Sequence, residues 1–269
     1  MRQLNNIQNH ITAVLVRSKK KNVIIAVSGG IDSATALYIL SKTIPLKNIF
    51  VIHLYYFDKS IKFFETTIES IGLPKSNILL YSIKDAVDVI ASELHIKEGF
   101  LHSFDLTQDK SGRNDNVTKN KVRMGNVMAR VRMNYLFDQA KKLDALVCGT
   151  ENRTENYLGY FTRYGDAASD FEVLNNLYKT QVRKLAKELE VPAEIIDTPP
   201  TAGLWEGQTD EGEMGVTYDE IDKVLELFFD KNIEIEEIEK KGYQNARKIL
   251  TIVANNKFKQ EVPYLVKAS

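Results

Sequence analysis

Eight residues, Ala26-Val27-Ser28-Gly29-Gly30-Ile31-Asp32-Ser33, stand between the apolar run Val23-Ile24-Ile25 and the helix-forming stretch Ala34-Thr35-Ala36-Leu37-Tyr38-Ile39-Leu40. Strand, glycine turn and helix start, in that order, aim backbone N–H groups at an anion. Gly29 and Gly30 clear side chains from that space and permit left-handed backbone. Ser28 and Ser33 add hydroxyl donors, and Asp32 supplies a hard oxygen ligand for a divalent cation beside a phosphate. The run reads as a pyrophosphate-binding loop.

Other glycine loops are excluded by what the chain lacks. A Walker A loop needs a Gly-Lys pair before Ser or Thr, and no Gly-Lys pair occurs. A dinucleotide fingerprint needs three spaced glycines, and two adjacent ones stand here. A nucleophile elbow is nearer to Ala26-Val27-Ser28-Gly29-Gly30, but its triad needs a late histidine. The histidines are His10, His53, His95 and His102, so that order of residues is unsupported.

Between these punctuation marks, short apolar runs alternate with amphipathic ones, the pattern of a parallel sheet covered on both faces. Strands are predicted at Val23–Ile25, Ile49–Tyr55, Ile78–Ile83 and Ala145–Gly149. Helices are predicted before the first strand, where Leu4, Ile7, Ile11, Val14 and Leu15 recur at helical spacing, over Ile61–Ile71, around Val87–Leu94, and over Val122–Leu143. The fold class is α/β, Rossmann-like, and ligands in such sheets bind beyond the carboxyl ends of the strands, where Ser28 and Thr150 emerge. One domain over residues 1–269 is expected, ending in a helical segment at 218–269. Two stretches break the pattern: polar, aperiodic 99–120, read as an excursion, and 198–216, with Pro199-Pro200 and an isolated Trp205, read as a substrate lid.

Charge narrows the partners. The 36 basic and 36 acidic residues cancel, which leaves no broad electrostatic footprint for nucleic acid or an anionic membrane. Cys148 is the only cysteine, so no internal disulfide or cysteine metal cage is available. No signal-peptide core opens the chain, and no apolar run approaches the roughly 20 residues of a membrane span. A reduced, cytoplasmic setting is expected.

The Ser28–Ser33 run resembles the signature of the ATP pyrophosphatases, the N-type PP-loop family. Those enzymes cut ATP between its α and β phosphates, adenylate an oxygen, and let a nitrogen or sulfur nucleophile displace AMP. Later motifs are more specific. Gly125-Asn126-Val127-Met128-Ala129-Arg130-Val131-Arg132-Met133, Gly149-Thr150-Glu151-Asn152-Arg153-Thr154-Glu155 and Gly159-Tyr160-Phe161-Thr162-Arg163-Tyr164-Gly165-Asp166 resemble ordered motifs of NAD synthetases. Leu177–Val182, Pro200–Trp205 and Gly207–Gly215 continue the likeness, which runs with gaps from the first helix to about residue 229.

The resemblance implies ATP-dependent amidation of deamido-NAD with ammonia, through an acyl adenylate, giving NAD, AMP and pyrophosphate. It implies ATP contacts at Ala26, Val27, Ser28, Gly29, Gly30, Ile31, Asp32, Ser33, Thr150, Lys179 and Thr201. It implies deamido-NAD contacts at Arg130, Arg163, Asp170 and Lys257, and a Mg2+ ion on Asp32 and Glu155. Asp32, Glu155 and Lys179 are then the catalytic residues. Lys179 stands near a helix start, where a cation opposes the macrodipole unless an anion is close, and that misfit favours a functional role. A homodimer is also implied, with the first and long central helices as its contact. Glutamine-dependent relatives carry an N-terminal nitrilase-like domain with a catalytic cysteine, whereas only a short stretch precedes Val23, so free ammonia is the expected nitrogen source.

The chain departs from the family pattern in three places. Arg163 replaces the usual lysine, exchanging a point charge for a planar fork. Ala167-Ala168 replace a Gly-Gly pair, and Asn256-Lys257-Phe258-Lys259 stands where His-Lys-Arg is common. Three rival readings make different predictions. A GMP- or asparagine-synthetase-like core predicts another acid substrate. A tRNA-modifying enzyme predicts paired cysteines and a basic surface. A non-catalytic ATP-binding module leaves Glu155, Lys179 and Thr201 unexplained.

Overall fold

The computed structural model describes residues 2–57, 61–96, 114–201 and 209–261. Helix α1 (Arg2–Ser18) leads into β1 (Asn22–Ala26), α2 (Ile31–Ser41), β2 (Ile49–Tyr55), α3 (Ile61–Ile71), β3 (Ile78–Ser82) and α4 (Lys84–Glu93). The long α5 (Asn114–Lys142) then delivers β4 (Ala145–Gly149), followed by α6 (Arg153–Leu158), β5 (Phe171–Glu172), α7 (Lys179–Glu188) and α8 (Ala193–Ile196). The remainder is helical: α9 (Asp210–Met214), α10 (Tyr218–Leu225) running into a π-helical turn (Glu226–Asp230), α11 (Ile235–Lys240), α12 (Ala246–Asn256) and a 3-10 turn (Lys257–Lys259).

All five strands are parallel, in the order β3-β2-β1-β4-β5. The chain builds outward from β1 through β2 to β3, then crosses over to β4 on the other side of β1. The order therefore reverses between β1 and β4, and their carboxyl ends flank the crevice where ligands bind in such sheets. Pairing of Val23 with both Ile49 and Leu146 sets the register at the centre.

Strand residues alternate between two cores. Val23, Ile25, Ile49, Val51 and Cys148 pack with α1, α2, α3, α7 and α8, whereas Ile24, Ile52, Leu54 and Val147 pack with α4 and α5. Val23, Ile24 and Ile25 are all fully buried, which is why that strand reads as a continuous apolar run. A third cluster joins α6, α10, α11 and α12 around Tyr218, Ile221, Ile238 and Ile249.

The sequence expectations need three adjustments. Helix α5 begins at Asn114, inside the stretch read as an aperiodic excursion. Its first turns are polar and carry no apolar stripe, so periodicity misses them, while propagation from the packed part costs little. Strand β5 was not expected, because two residues carry no period. The segment read as a lid contains α9, whose N-cap Thr209 accepts the Gly212 amide. Residues 99–113 and Trp205 lie outside the described residues.

Candidate active site

Three elements converge at the switch point. Backbone at the end of β1 continues into the loop: the Val27 amide donates to the Ile52 carbonyl (2.9 Å), and the Val27 carbonyl meets His53 Nδ1 (2.6 Å). Val27 and Ile31 bury their side chains in the core, so what they offer a ligand is backbone. Gly29 has φ +91°, a conformation L side chains rarely adopt, which explains one glycine of the pair. Ser33 Oγ donates to the Gly30 carbonyl (3.0 Å), accepts the Ser28 amide (3.2 Å) and lies 3.2 Å from Ser28 Oγ. No side chain caps the first turn of α2.

Helix α6 brings the second part. Asn152, fully buried at the N-cap, accepts the Glu155 amide (3.0 Å) through Oδ1. Its Nδ2 donates to Asp32 Oδ1 (2.9 Å), so one amide both starts α6 and holds the carboxylate of α2. Helix α7 brings the third part. Lys179 is its first residue, with 2% of the side chain exposed, and Nζ lies 2.5 Å from Asp32 Oδ2 and 3.0 Å from Glu155 Oε1. The ammonium also sits over the Tyr218 ring, 5.1 Å from its centre.

Borrowed acceptors satisfy the start of α7. The Lys179 amide donates to Thr154 Oγ1 (2.9 Å) and the Thr180 amide to Asp222 Oδ2 (2.7 Å). Asp222 Oδ1 in turn accepts the Thr154 hydroxyl (2.6 Å). One buried carboxylate thus ties the starts of α6 and α7 together, while Asp32 and Glu155 supply the anions that a cation at a helix N-terminus requires.

Charge in this pocket is unbalanced. Burial would lower Lys179, but the carboxylates of Asp32 and Glu155 outweigh it and hold the ammonium above the usual lysine range. Burial raises Glu155, against the pull of Lys179 and with the push of Asp32. Asp210, 3% exposed, accepts the Tyr218 hydroxyl (2.9 Å) and the Tyr160 hydroxyl (3.3 Å), and burial raises it too. Three carboxyl groups around one ammonium leave a site that favours a further cation. No group of three or more His, Cys, Asp or Glu side chains poised for a metal occurs among the described residues. Mg2+ commonly takes only one or two protein carboxylates and completes its shell with phosphate and water, so Asp32 and Glu155 fit it.

The other expected residues lie around this centre. Thr150 follows β4 at the crevice, and Thr201 is exposed just after Pro200, whose carbonyl accepts the Asp210 amide (3.0 Å). Arg130, exposed on α5, donates through Nε and Nη2 to the Arg163 carbonyl (3.3 Å each). Arg163 Nε is buried with no hydrogen-bond partner. Asp170 closes on β4, its amide donating to the Val147 carbonyl (2.9 Å) and Oδ2 accepting the Val147 amide (2.7 Å). Lys257 is exposed in the 3-10 turn. Asn152, Asp210, Tyr218 and Asp222 were not expected. Asn152 with Glu155 forms the Asn-x-x-Glu signal of a helix start; Asp222, on α10, carries no local signal.

A phosphate loop at the reversal point of a parallel sheet, faced by a lysine between two carboxylates, defines a PP-loop nucleotide-binding α/β protein. Residues 3–263 match the family described as NAD synthase, and the chain belongs to that family. It is 35% identical over 269 residues to the NH(3)-dependent NAD(+) synthetase of Pyrococcus furiosus, covering 98% of this chain and 95% of that one. Among solved structures it resembles an NMN synthetase from Francisella tularensis (TM-score 0.77, 30% identity, 99% of this chain and 98% of that one). It shares the fold of an NH3-dependent NAD synthetase from Campylobacter jejuni (TM-score 0.69, 22% identity, 99% and 98%).

Proposed function

We propose that the chain is an ammonia-dependent ligase that converts deamido-NAD to NAD, consuming ATP and releasing AMP and pyrophosphate. The observation that carries this reading is the Lys179 ammonium set between Asp32 and Glu155 at the mouth of the Ser28–Ser33 loop. The nicotinate carboxylate attacks the ATP α-phosphate, the P–O bond to the β-phosphate breaks, and pyrophosphate departs against the loop amides and Lys179. Ammonia then adds to the acyl carbon and AMP leaves, one proton being lost from nitrogen. Asp32 and Glu155 would hold Mg2+, which offsets charge on the phosphates when bound. No protein nucleophile is needed, because aligning two substrates and stabilising charge supply the acceleration.

Thr150 and Thr201 are assigned to ATP, and Arg130, Arg163, Asp170 and Lys257 to deamido-NAD. The partnerless Arg163 Nε supports its assignment, since a buried donor gains most from an anionic acceptor. A cytoplasmic homodimer belongs to the same reading, with the exposed Val16 of α1 and Val122 and Phe137 of α5 as candidate contacts. A second reading, in which nicotinate mononucleotide is the acid amidated, is favoured by the likeness to the Francisella tularensis NMN synthetase.

The test incubates purified protein with ATP, Mg2+ and ammonium plus either acid, and measures amide product, AMP and pyrophosphate. NAD formation with the larger kcat/KM for deamido-NAD is expected. A larger kcat/KM for the mononucleotide would select the second reading, and ADP as the nucleotide product would overturn both. Asp32→Ala should abolish turnover with the circular dichroism spectrum retained.

A further inference from the structure

The turn that ends the described chain grips the far end of the helix bearing Glu155. Asn256 Nδ2 donates to the Leu158 carbonyl (2.8 Å), and Gln260 Nε2 to those of Asn156 (2.7 Å) and Tyr157 (3.3 Å). Lys259 Nζ donates to the Gly159 carbonyl (2.6 Å) and the Phe161 carbonyl (3.0 Å). A helix leaves its last carbonyls without intrahelical partners, and a cation there complements the macrodipole. Contact is close: a Cβ on Gly159, which has φ +61°, would lie 2.5 Å from Asn256 Cβ. Asn256, standing where the family often has histidine, is thus occupied in capping α6.

Two of those carbonyls matter beyond capping. Gly159 and Phe161 flank the start of the segment that leads to Arg163, and Lys259 is the side chain that bridges them. From α5, Arg130 holds the Arg163 carbonyl. The segment is therefore gripped at both ends by cations from different elements. Between the grips, the Arg163 guanidinium lies 5.5 Å from the ring centres of both Tyr164 and Phe258, the latter adjoining Lys259 in the same turn.

We propose that Lys259 is a positioning residue for the acid substrate, acting through the Gly159–Phe161 turn to aim Arg163, with Phe258 supporting the guanidinium. This rests on the assignment of Arg163 to the acid substrate. Removing the Lys259 donor leaves the intrinsic bonds that end α6, from Tyr160 N–H to the Glu155 carbonyl (2.9 Å) and from Gly159 N–H to the Asn156 carbonyl (3.1 Å). The effect should therefore fall on substrate placement rather than on the fold.

The experiment compares wild type, Lys259→Met and Lys259→Arg by steady-state kinetics in deamido-NAD and ATP separately, by thermal unfolding, and by amide hydrogen exchange over residues 160–163. Lys259→Met is expected to raise KM for deamido-NAD about tenfold, leaving KM for ATP within about twofold, as loss of binding to one substrate requires. Exchange at 160–163 should quicken, and Lys259→Arg should restore most of both. An unchanged KM for deamido-NAD on an active enzyme would overturn the proposal. So would a parallel loss of both substrates' KM, kcat and thermal midpoint, the pattern of a merely structural residue. Absence of wild-type turnover with either acid would instead remove the reaction reading, and the exchange rates alone would then judge the grip on the turn.

Discussion

The Lys179 ammonium lies 2.5 Å from the Asp32 carboxylate across 147 residues of sequence, and shares itself with Glu155. Helix α7 presents the cation, α2 one carboxylate and α6 the other. The balance among these groups governs how the site responds to substitution and to pH.

Lys179→Met removes the cation and leaves buried carboxyls without compensation. Turnover should fall about 10²–10³-fold, as when a preorganised charge at a reacting phosphoryl group is lost. Stability near neutral pH should fall by on the order of 3 kcal/mol. Burial already raises Glu155, and without the ammonium it rises further. A carboxyl with a folded pKa above its unfolded value costs stability as pH rises. Urea midpoints should therefore show a larger deficit for the variant at pH 8 than at pH 5; a deficit independent of pH would contradict the coupling.

Gly149 pairs with Glu172 across β4 and β5, and a Cβ there would lie 1.8 Å from Glu172 Oε1. Glu172 accepts the Ser169 hydroxyl (2.8 Å) and the Glu151 amide (3.1 Å). Gly149→Ala should expel that carboxyl, with a loss of about 1–3 kcal/mol from overpacking and broken hydrogen bonds. In a Glu172→Ala background the same change should cost much less. A double-mutant cycle on urea unfolding checks this, and additive losses would show that the two residues do not compete for one space.

Glu151 and Glu172 make the fold pH-sensitive near neutrality. Burial pushes Glu151 up to about 8, with the carboxylates of Glu172, Glu155 and Asp166 adding to it. Burial pushes Glu172 up to about 7, with Asp166 adding. Both groups have folded values above the ordinary 4.5, so the stability they contribute is present below pH 4.5 and is lost as pH rises through about 7 and 8. Glu151→Gln cannot ionise and should flatten the fall in urea midpoint between pH 5 and 8. Equal slopes for wild type and variant would refute this origin.

Asp222→Asn tests whether α6 and α7 are aligned by one carboxylate. The Thr154 hydroxyl and the Thr180 amide donate to different oxygens of Asp222, and an amide replaces one of those oxygens with an NH2 donor that faces a donor instead. A stability loss on the order of 1–3 kcal/mol is expected, with kcat/KM falling by more than the unfolded fraction explains. Unaltered kcat/KM in the folded variant would confine Asp222 to stability.

Much of this architecture was legible in the chain. The alternation of apolar runs marked four of the five strands, and the Ser28–Ser33 loop fell where β1 meets α2. Asp32, Glu155 and Lys179 were singled out by motif, and the fold brings the Lys179 ammonium within hydrogen-bonding distance of both carboxylates. Strand β5 escaped notice because Phe171–Glu172 is too short to show a period, and the first turns of α5 because they have no apolar face to announce them.

What the sequence determined is local: which segments prefer strand or helix, where glycine frees a turn for phosphate, and which ordered motifs place the chain in the NAD synthase family. Only the tertiary structure decided that Asp222 joins α6 to α7, that Asp210 and Tyr218 enclose the ammonium, and that Lys259 grips the turn before Arg163. These partnerships depend on which side chains packing removes from water, and burial of that kind belongs to several elements together.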